Sequence, residues 1–179
     1  MVGPPWWFLD VDGVLNAFPP PPSGATTWSY RSLRVGAQGG VFTVTVADEL
    51  LAALRDVHTT GQAEVVWCTT WGSDARDSLA PLLDLPDWPV APRPDDIRCA
   101  PLPGWSAAPW WKLEAVSRWL DREPRPYVFT DDDLVPEVVE ELRARHPGLP
   151  ACLLRPSTTP GLGPTELRTV HEFLTRPAG

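Results

Sequence analysis

Apolar runs of strand length recur along the chain, and each stops abruptly at polar residues. Trp6-Trp7-Phe8-Leu9 runs into Asp10-Val11-Asp12-Gly13, and Ala63 to Cys68 runs into Thr69-Thr70-Trp71-Gly72. Pro126 to Thr130 ends in Asp131-Asp132-Asp133, and Ala151 to Leu154 forms a last short run. Runs with little or no alternation belong to strands buried on both faces, as in a parallel sheet. Residues 28–35 and 41–46 read differently. In the second, Phe42, Val44 and Val46 alternate with Thr43 and Thr45, the period of a half-exposed strand. The segment 36–40, rich in glycine, joins the two into a β-hairpin.

Between these runs the spacing becomes helical. Leu50, Leu51, Leu54 and Val57 predict a helix to about His58, with Asp48 and Glu49 in its first turn. Leu79, Leu82 and Leu83, all expected inward, predict a helix over 73–83. Leu113, Val116, Trp119 and Leu120 share one face of a helix that follows Pro109, and Lys112 lies near its start and off that face. Pro136 opens a helix that buries Val138, Val139 and Leu142; Pro164 opens a last one with Leu167, Val170 and Leu174 inward.

Strand and helix alternate along most of the chain. That order predicts an α/β fold, a doubly wound (Rossmann-like) parallel sheet of about five strands with helices on both faces. A short edge strand is expected near Trp88-Pro89-Val90. No repeat or linker divides residues 1–179, so one domain is expected, with 19–46 inserted after the first strand as a hairpin flap. Pro19 to Pro22 leads into that insertion as a stiff, extended segment. The flap's position just after Asp12 predicts that it overhangs the end of the first strand.

Composition narrows the setting. The chain has 179 residues with 43% hydrophobic content, enough for a full core. No apolar stretch is long enough to span a membrane, and the first residues carry no basic leader, so a cytoplasmic protein is expected. Cys68, Cys99 and Cys152 match neither a disulfide framework nor a zinc site, and reduced, buried thiols are expected. A net charge of −8 argues against bulk attraction to nucleic acid. Lys112 is the only lysine among 15 basic residues, which suggests a need for a compact point charge there.

The polar groups that end these runs can converge, because a parallel sheet brings the carboxyl ends of its strands to one edge. Asp10 and Asp12 are close enough to repel unless a cation or proton lies between them. Clustered carboxylates suit a hard cation, Mg²⁺ where phosphate is also bound. The Thr69 hydroxyl and the Lys112 ammonium suit an anionic ligand. A carboxylate can attack phosphorus, and a second one can carry protons.

With these residues in place, the sequence resembles the haloacid dehalogenase-like (HAD) hydrolase superfamily. The motifs follow in order: Asp10-Val11-Asp12-Gly13-Val14-Leu15, a hydrophobic strand ending in Thr69, Lys112 at a helix start, and Asp131-Asp132. The resemblance implies that Asp10 is the nucleophile and that Asp12 protonates the leaving oxygen and then activates water. Thr69 would bind the phosphoryl group, and Lys112 would neutralise charge beside it. Asp10, the backbone carbonyl of Asp12, and Asp131 would hold Mg²⁺, with Asp132 nearby or bound through water. Thr69 is chosen over Thr70 because it directly follows the apolar run. Asp131 is chosen over Asp132 and Asp133 as the first residue past its strand. The short, proline-rich stretch 70–111 resembles that of nearly capless members, whose open sites admit large substrates.

The expected activity is a Mg²⁺-dependent phosphatase working through an aspartyl-phosphate on a phosphorylated substrate of unknown size. The alternatives are a catalytically idle binding domain of the same fold and a phosphatase acting on nucleic-acid ends. Trp71, Trp105, Trp110 and Trp111 read as packing residues more than as a substrate rim. His58, His146 and His171 read as helix or helix-end residues, Arg31 and Arg34 as a solvated strand face, and 157–163 as a loop without chemistry.

Overall fold

A computed structural model describes residues 3–24, 27–92 and 110–176. Strand β1 (Trp6–Leu9) lies inside a four-stranded parallel sheet. Its neighbours are β4 (Glu64–Trp67) on one side and β5 (Tyr127–Thr130) on the other, with β6 (Ala151–Leu154) beyond β5. Trp7 pairs with Val65 and Val128, and Leu9 with Trp67 and Thr130. The expected fifth strand is a single parallel bridge of Val90 to Trp67 at the outer edge of β4. Prolines at 86 and 89 remove amides that a longer ladder there would need.

Alternate residues of β1 feed two cores. Trp7 and Leu9 join one with Leu51 and Leu54 of α1 (Asp48–Thr59) and Val170 of α5 (Pro164–Leu174). Trp6 and Phe8 join the other with Leu113, Val116 and Leu120 of α3 (Trp111–Arg122) and Val138 and Leu142 of α4 (Pro136–Arg145). Helices thus cover both faces of the sheet, which is why β1 reads as an unbroken apolar run. Trp7 is fully buried, yet its indole N–H donates to Thr130 Oγ1 at 3.1 Å, so no polar group is stranded there.

The insertion is an antiparallel pair, β2 (Tyr30–Ala37) with β3 (Gly40–Ala47). Its strands run about two residues later than the sequence pattern suggests at the start of β2. The hairpin closes on Gln38-Gly39, both at positive φ, the two-residue turn that matches strand twist. The helix expected over 73–83 is instead a π-helical turn, Ala75–Leu79, followed by the short α2, Ala80–Leu82. Pro81 has no amide to continue a regular ladder, and hydrophobic spacing does not register a widened turn. Trp119, Val139, Leu167 and Leu174 are only partly buried and pack at the margins of the cores. Cys68 and Cys152 are buried free thiols; Cys99, Trp105 and most of the proline-rich segment lie outside the described residues. No helix among the described residues is long and apolar enough to cross a membrane.

Candidate active site

Chain order and sheet order reverse at β1. The chain passes from β1 to β4 on one side, then to β5 on the other, so a crevice opens beyond the carboxyl ends of β1 and β5. Asp10 follows β1, Asp131 follows β5, and Cys68-Thr69 follows β4. Ladder hydrogen bonds continue into these residues: Asp10 N–H to Thr130 O, Cys68 N–H to Leu9 O, and Asp131 N–H to Leu154 O. Each of these candidate side chains is therefore held at the sheet edge rather than by a free loop.

Lys112 arrives from the first turn of α3. Its Nζ lies 2.6 Å from Asp10 Oδ2 and 2.6 Å from Asp131 Oδ2. All three side chains are buried. The off-face position of Lys112 on its helix is what turns it toward the sheet edge. Asp10 Oδ1 accepts from the Val11 N–H at 2.7 Å, and the Thr69 hydroxyl also bonds the Asp10 carboxyl. Thr69 is buried, whereas Thr70 is exposed and offers its carbonyl to Gln38.

Burial pushes the Asp10 carboxyl above its ordinary value, against the pull of Lys112, Val11 and Thr69. Burial also raises Asp131, to about 8, and the Asp10 charge adds to that effect. Burial disfavours the Lys112 charge, but Asp10 and Asp131 outweigh it and keep the ammonium protonated. Asp132 is raised by burial and by its acidic neighbours. These shifts share one cause: negative charge crowded into a place poor in water.

Asp10, Asp131 and Asp132 each turn a carboxylate oxygen into one spot, all within 4.8 Å of one another. Asp133 is exposed, and only its backbone N–H takes part, donating to Asp131 Oδ1 at 2.9 Å. Arg155 donates to the Asp132 carbonyl at 2.7 Å and steadies that turn. With all three carboxylates ionised, the Lys112 ammonium leaves two negative charges uncompensated. An all-oxygen donor set of that charge fits a hard divalent cation such as Mg²⁺. Gly13 makes room for the Asp132 carboxyl. At φ +71°, its missing Cβ would lie 2.5 Å from Asp132 Oδ2.

Asp12 stands apart from that cluster. Its carboxyl is exposed and held at both oxygens, by Asn16 Nδ2 on Oδ1 and by Trp71 Nε1 on Oδ2, each at 2.8 Å. Asn16 also accepts the buried Thr45 N–H of β3 at 2.8 Å and so ties the flap to Asp12. Gln38 at the flap tip donates from its backbone N–H to Asp74 and from its side chain to Thr70 O. The Phe42 ring packs on Trp71 with centroids 5.6 Å apart. The flap thus lies over the Thr70-Trp71 turn.

Nothing in the sequence marks Asn16 beyond its closeness to the Asp12 turn, and Trp71 reads there as packing. Trp110 stacks on Phe129 and lies 5.8 Å from Lys112 Nζ, a packing residue that also borders the ammonium. Of the arginines read as a solvated face, Arg31 pairs with Asp48 at 2.7 Å. His58 accepts from Trp88 Nε1 at 3.3 Å and His146 caps α4, both away from the site. The loop at 157–163 braces the turn after β1: Leu162 N–H donates to Val14 O and Phe18 N–H to Thr158 O.

Residues 7–162 match a family model described as the HAD domain in Swiss Army Knife RNA repair proteins. No curated protein and no solved structure matches the chain.

Proposed function

The chain belongs to the HAD domain family found in Swiss Army Knife RNA repair proteins, and from that premise we propose that it is a phosphomonoester hydrolase working through an aspartyl-phosphate. The observation that carries this reading is the meeting of Asp10, Asp131 and Lys112 in one buried, doubly ion-paired cluster.

Asp10 is the nucleophile. Its carboxylate oxygen forms a bond to phosphorus as the bond from phosphorus to the leaving oxygen breaks. Asp12 gives its proton to that oxygen, and the product leaves as an alcohol. Water then attacks the phosphorus of the aspartyl-phosphate, Asp12 takes the water proton, and phosphate and free Asp10 are restored. Thr69 and Lys112 hold the phosphoryl oxygens and offset their charge in a site that admits little water. Asn16 and Trp71 fix the Asp12 carboxyl in place. Asp10, Asp131 and Asp132 would hold Mg²⁺, together with the Asp12 backbone carbonyl that the superfamily resemblance implies. Bound there, the ion would neutralise phosphoryl charge and relieve repulsion among the carboxylates.

The test is turnover of a panel of phosphomonoesters with Mg²⁺. Asp10→Asn is expected to abolish turnover while the fold stays intact; equal activity in that variant would refute the assignment.

A second reading concerns the substrate. The RNA repair setting in the family's description favours a phosphorylated RNA end over a small metabolite. The chain's net charge of −8 suits contact with a terminal nucleotide better than with a long phosphate backbone.

A further inference from the structure

The space beyond Asp12 is where a leaving group must go if Asp12 protonates the leaving oxygen. That space is a cavity of about 370 Å³, bounded by Asp12 and Asn16 on one side and by the flap on the other. This is the size class of small-ligand sites. Three rings line it: Phe18, Phe42 and Trp71. Phe18 is 68% exposed and Phe42 is 42% exposed, and neither belongs to the buried cores. Trp71 is fixed by its bond to Asp12, and Phe42 leans on it, so this part of the wall is preorganised. Thr43, Thr70 and Gln38 add hydroxyl and amide groups at the rim. Among the described residues that line the cavity, Asp12 is the one charged side chain and none is arginine or lysine. A second phosphate or another anionic group is therefore unwelcome. A flat, neutral ring with hydrogen-bonding edges is the complementary ligand.

We propose that this cavity is a base-stacking subsite. It receives the nucleobase of a nucleotide whose phosphate reaches Asp10, with Phe18, Phe42 and Trp71 as the stacking surface. The inference rests on the phosphohydrolase reading for its orientation, since Asp12 marks the leaving-group side. Stacking on aromatic side chains tolerates any base, so the subsite selects for nucleotides as a class rather than for one base.

Binding calorimetry on the full chain separates this proposal from the activity itself. The probes are adenosine 3′-monophosphate, adenosine 5′-monophosphate, glycerol phosphate, and short oligoribonucleotides with a phosphate at either end. The nucleotides are expected to bind more tightly than glycerol phosphate. Phe42→Ala and Phe18→Ala should each weaken nucleotide binding by about 5- to 100-fold, the range that loss of one stacked ring gives, and leave glycerol phosphate unaffected. Phe42→Tyr should restore it. Both side chains are exposed, so the folded state is not at stake. Equal affinity for adenosine monophosphates and glycerol phosphate, or an unchanged nucleotide affinity in both alanine variants, would overturn the subsite. Phe42-dependent nucleotide binding without any turnover would overturn the hydrolase reading and leave the subsite standing. Tighter binding of the end-phosphorylated oligomers than of the mononucleotides would identify RNA ends as the source of the base; the reverse ranking would identify free nucleotides.

Discussion

Lys112 and Asp10, 102 residues apart in the chain, meet as a buried ion pair of 2.6 Å. The same ammonium serves Asp131, so a single side chain balances the ends of two adjacent strands. Lys112→Met would leave both carboxylates buried without a cation. It is expected to abolish turnover and to lower unfolding free energy by about 3–5 kcal/mol, the usual cost of breaking a buried pair from one side. Urea unfolding with and without Mg²⁺ checks this. The ion should stabilise both proteins, and the variant more, because there no ammonium offsets the carboxylates. Identical stabilities without metal would contradict the pairing.

The Asp12 carboxyl is aimed by two donors, and each can be removed. Trp71→Phe keeps an aromatic ring but loses the indole N–H and its bond to Asp12 Oδ2. Its kcat is expected to fall by about 10- to 100-fold, the worth of one hydrogen bond to a charged group, with KM nearly constant. Asn16→Ala also strands the buried Thr45 N–H and should cost about 1–3 kcal/mol of stability besides activity. Steady-state kinetics beside thermal melts distinguish the two. Equal melting temperatures in both variants would count against the Asn16 bridge.

Magnesium affinity should rank the aspartates. Asp131→Ala and Asp132→Asn are expected to weaken binding by about tenfold or more, and Asp133→Asn to leave it unchanged. Gly13→Ala should behave like Asp132→Asn, because the new Cβ would displace the Asp132 carboxyl. Calorimetric Mg²⁺ titrations decide. An Asp133 variant weaker than the Asp131 variant would reverse the assignment.

Tyr127 reports on the core through pH. Burial pushes its phenol up to about 12 from an ordinary 10. The folded state prefers the neutral ring, so the unfolded chain releases this proton first. Stability from this group is complete below about pH 10 and falls as pH rises toward 12, by about 3 kcal/mol in all. Tyr127→Phe should flatten that decline in urea midpoints taken from pH 9 to 12, and a decline as steep as the parent's would refute the burial argument.

Much of this architecture was legible because its causes are local. A strand buried on both faces must be apolar throughout, so β1, β4 and β5 announced themselves, and their ends pointed to Asp10, Thr69 and Asp131. The amphipathic spacing of α1 and α3 was equally plain. What stayed hidden depends on distant partners. Nothing near Trp71 in sequence says that its indole meets Asp12, and nothing near Asn16 says that it holds the flap. Thr69 and Thr70 differ in burial, a property of the folded edge rather than of either residue. The π-helical turn at Ala75–Leu79 shifts register by one residue, which apolar spacing does not resolve.

In the sheet order β4-β1-β5, Thr69, Asp10 and Asp131 follow three neighbouring strands. Their separation is the repeat of the hydrogen-bonded lattice, about 4.8 Å per strand, and no loop can retune it. The hairpin, by contrast, is an appendage whose tip could be exchanged without touching that lattice. Bond-making and target choice are therefore separable inheritances in this molecule. On the proposed hydrolase function, an exchanged hairpin tip that keeps Thr45 and its bond to Asn16 should redirect the site to a new clientele while the chemistry at Asp10 runs on unaltered.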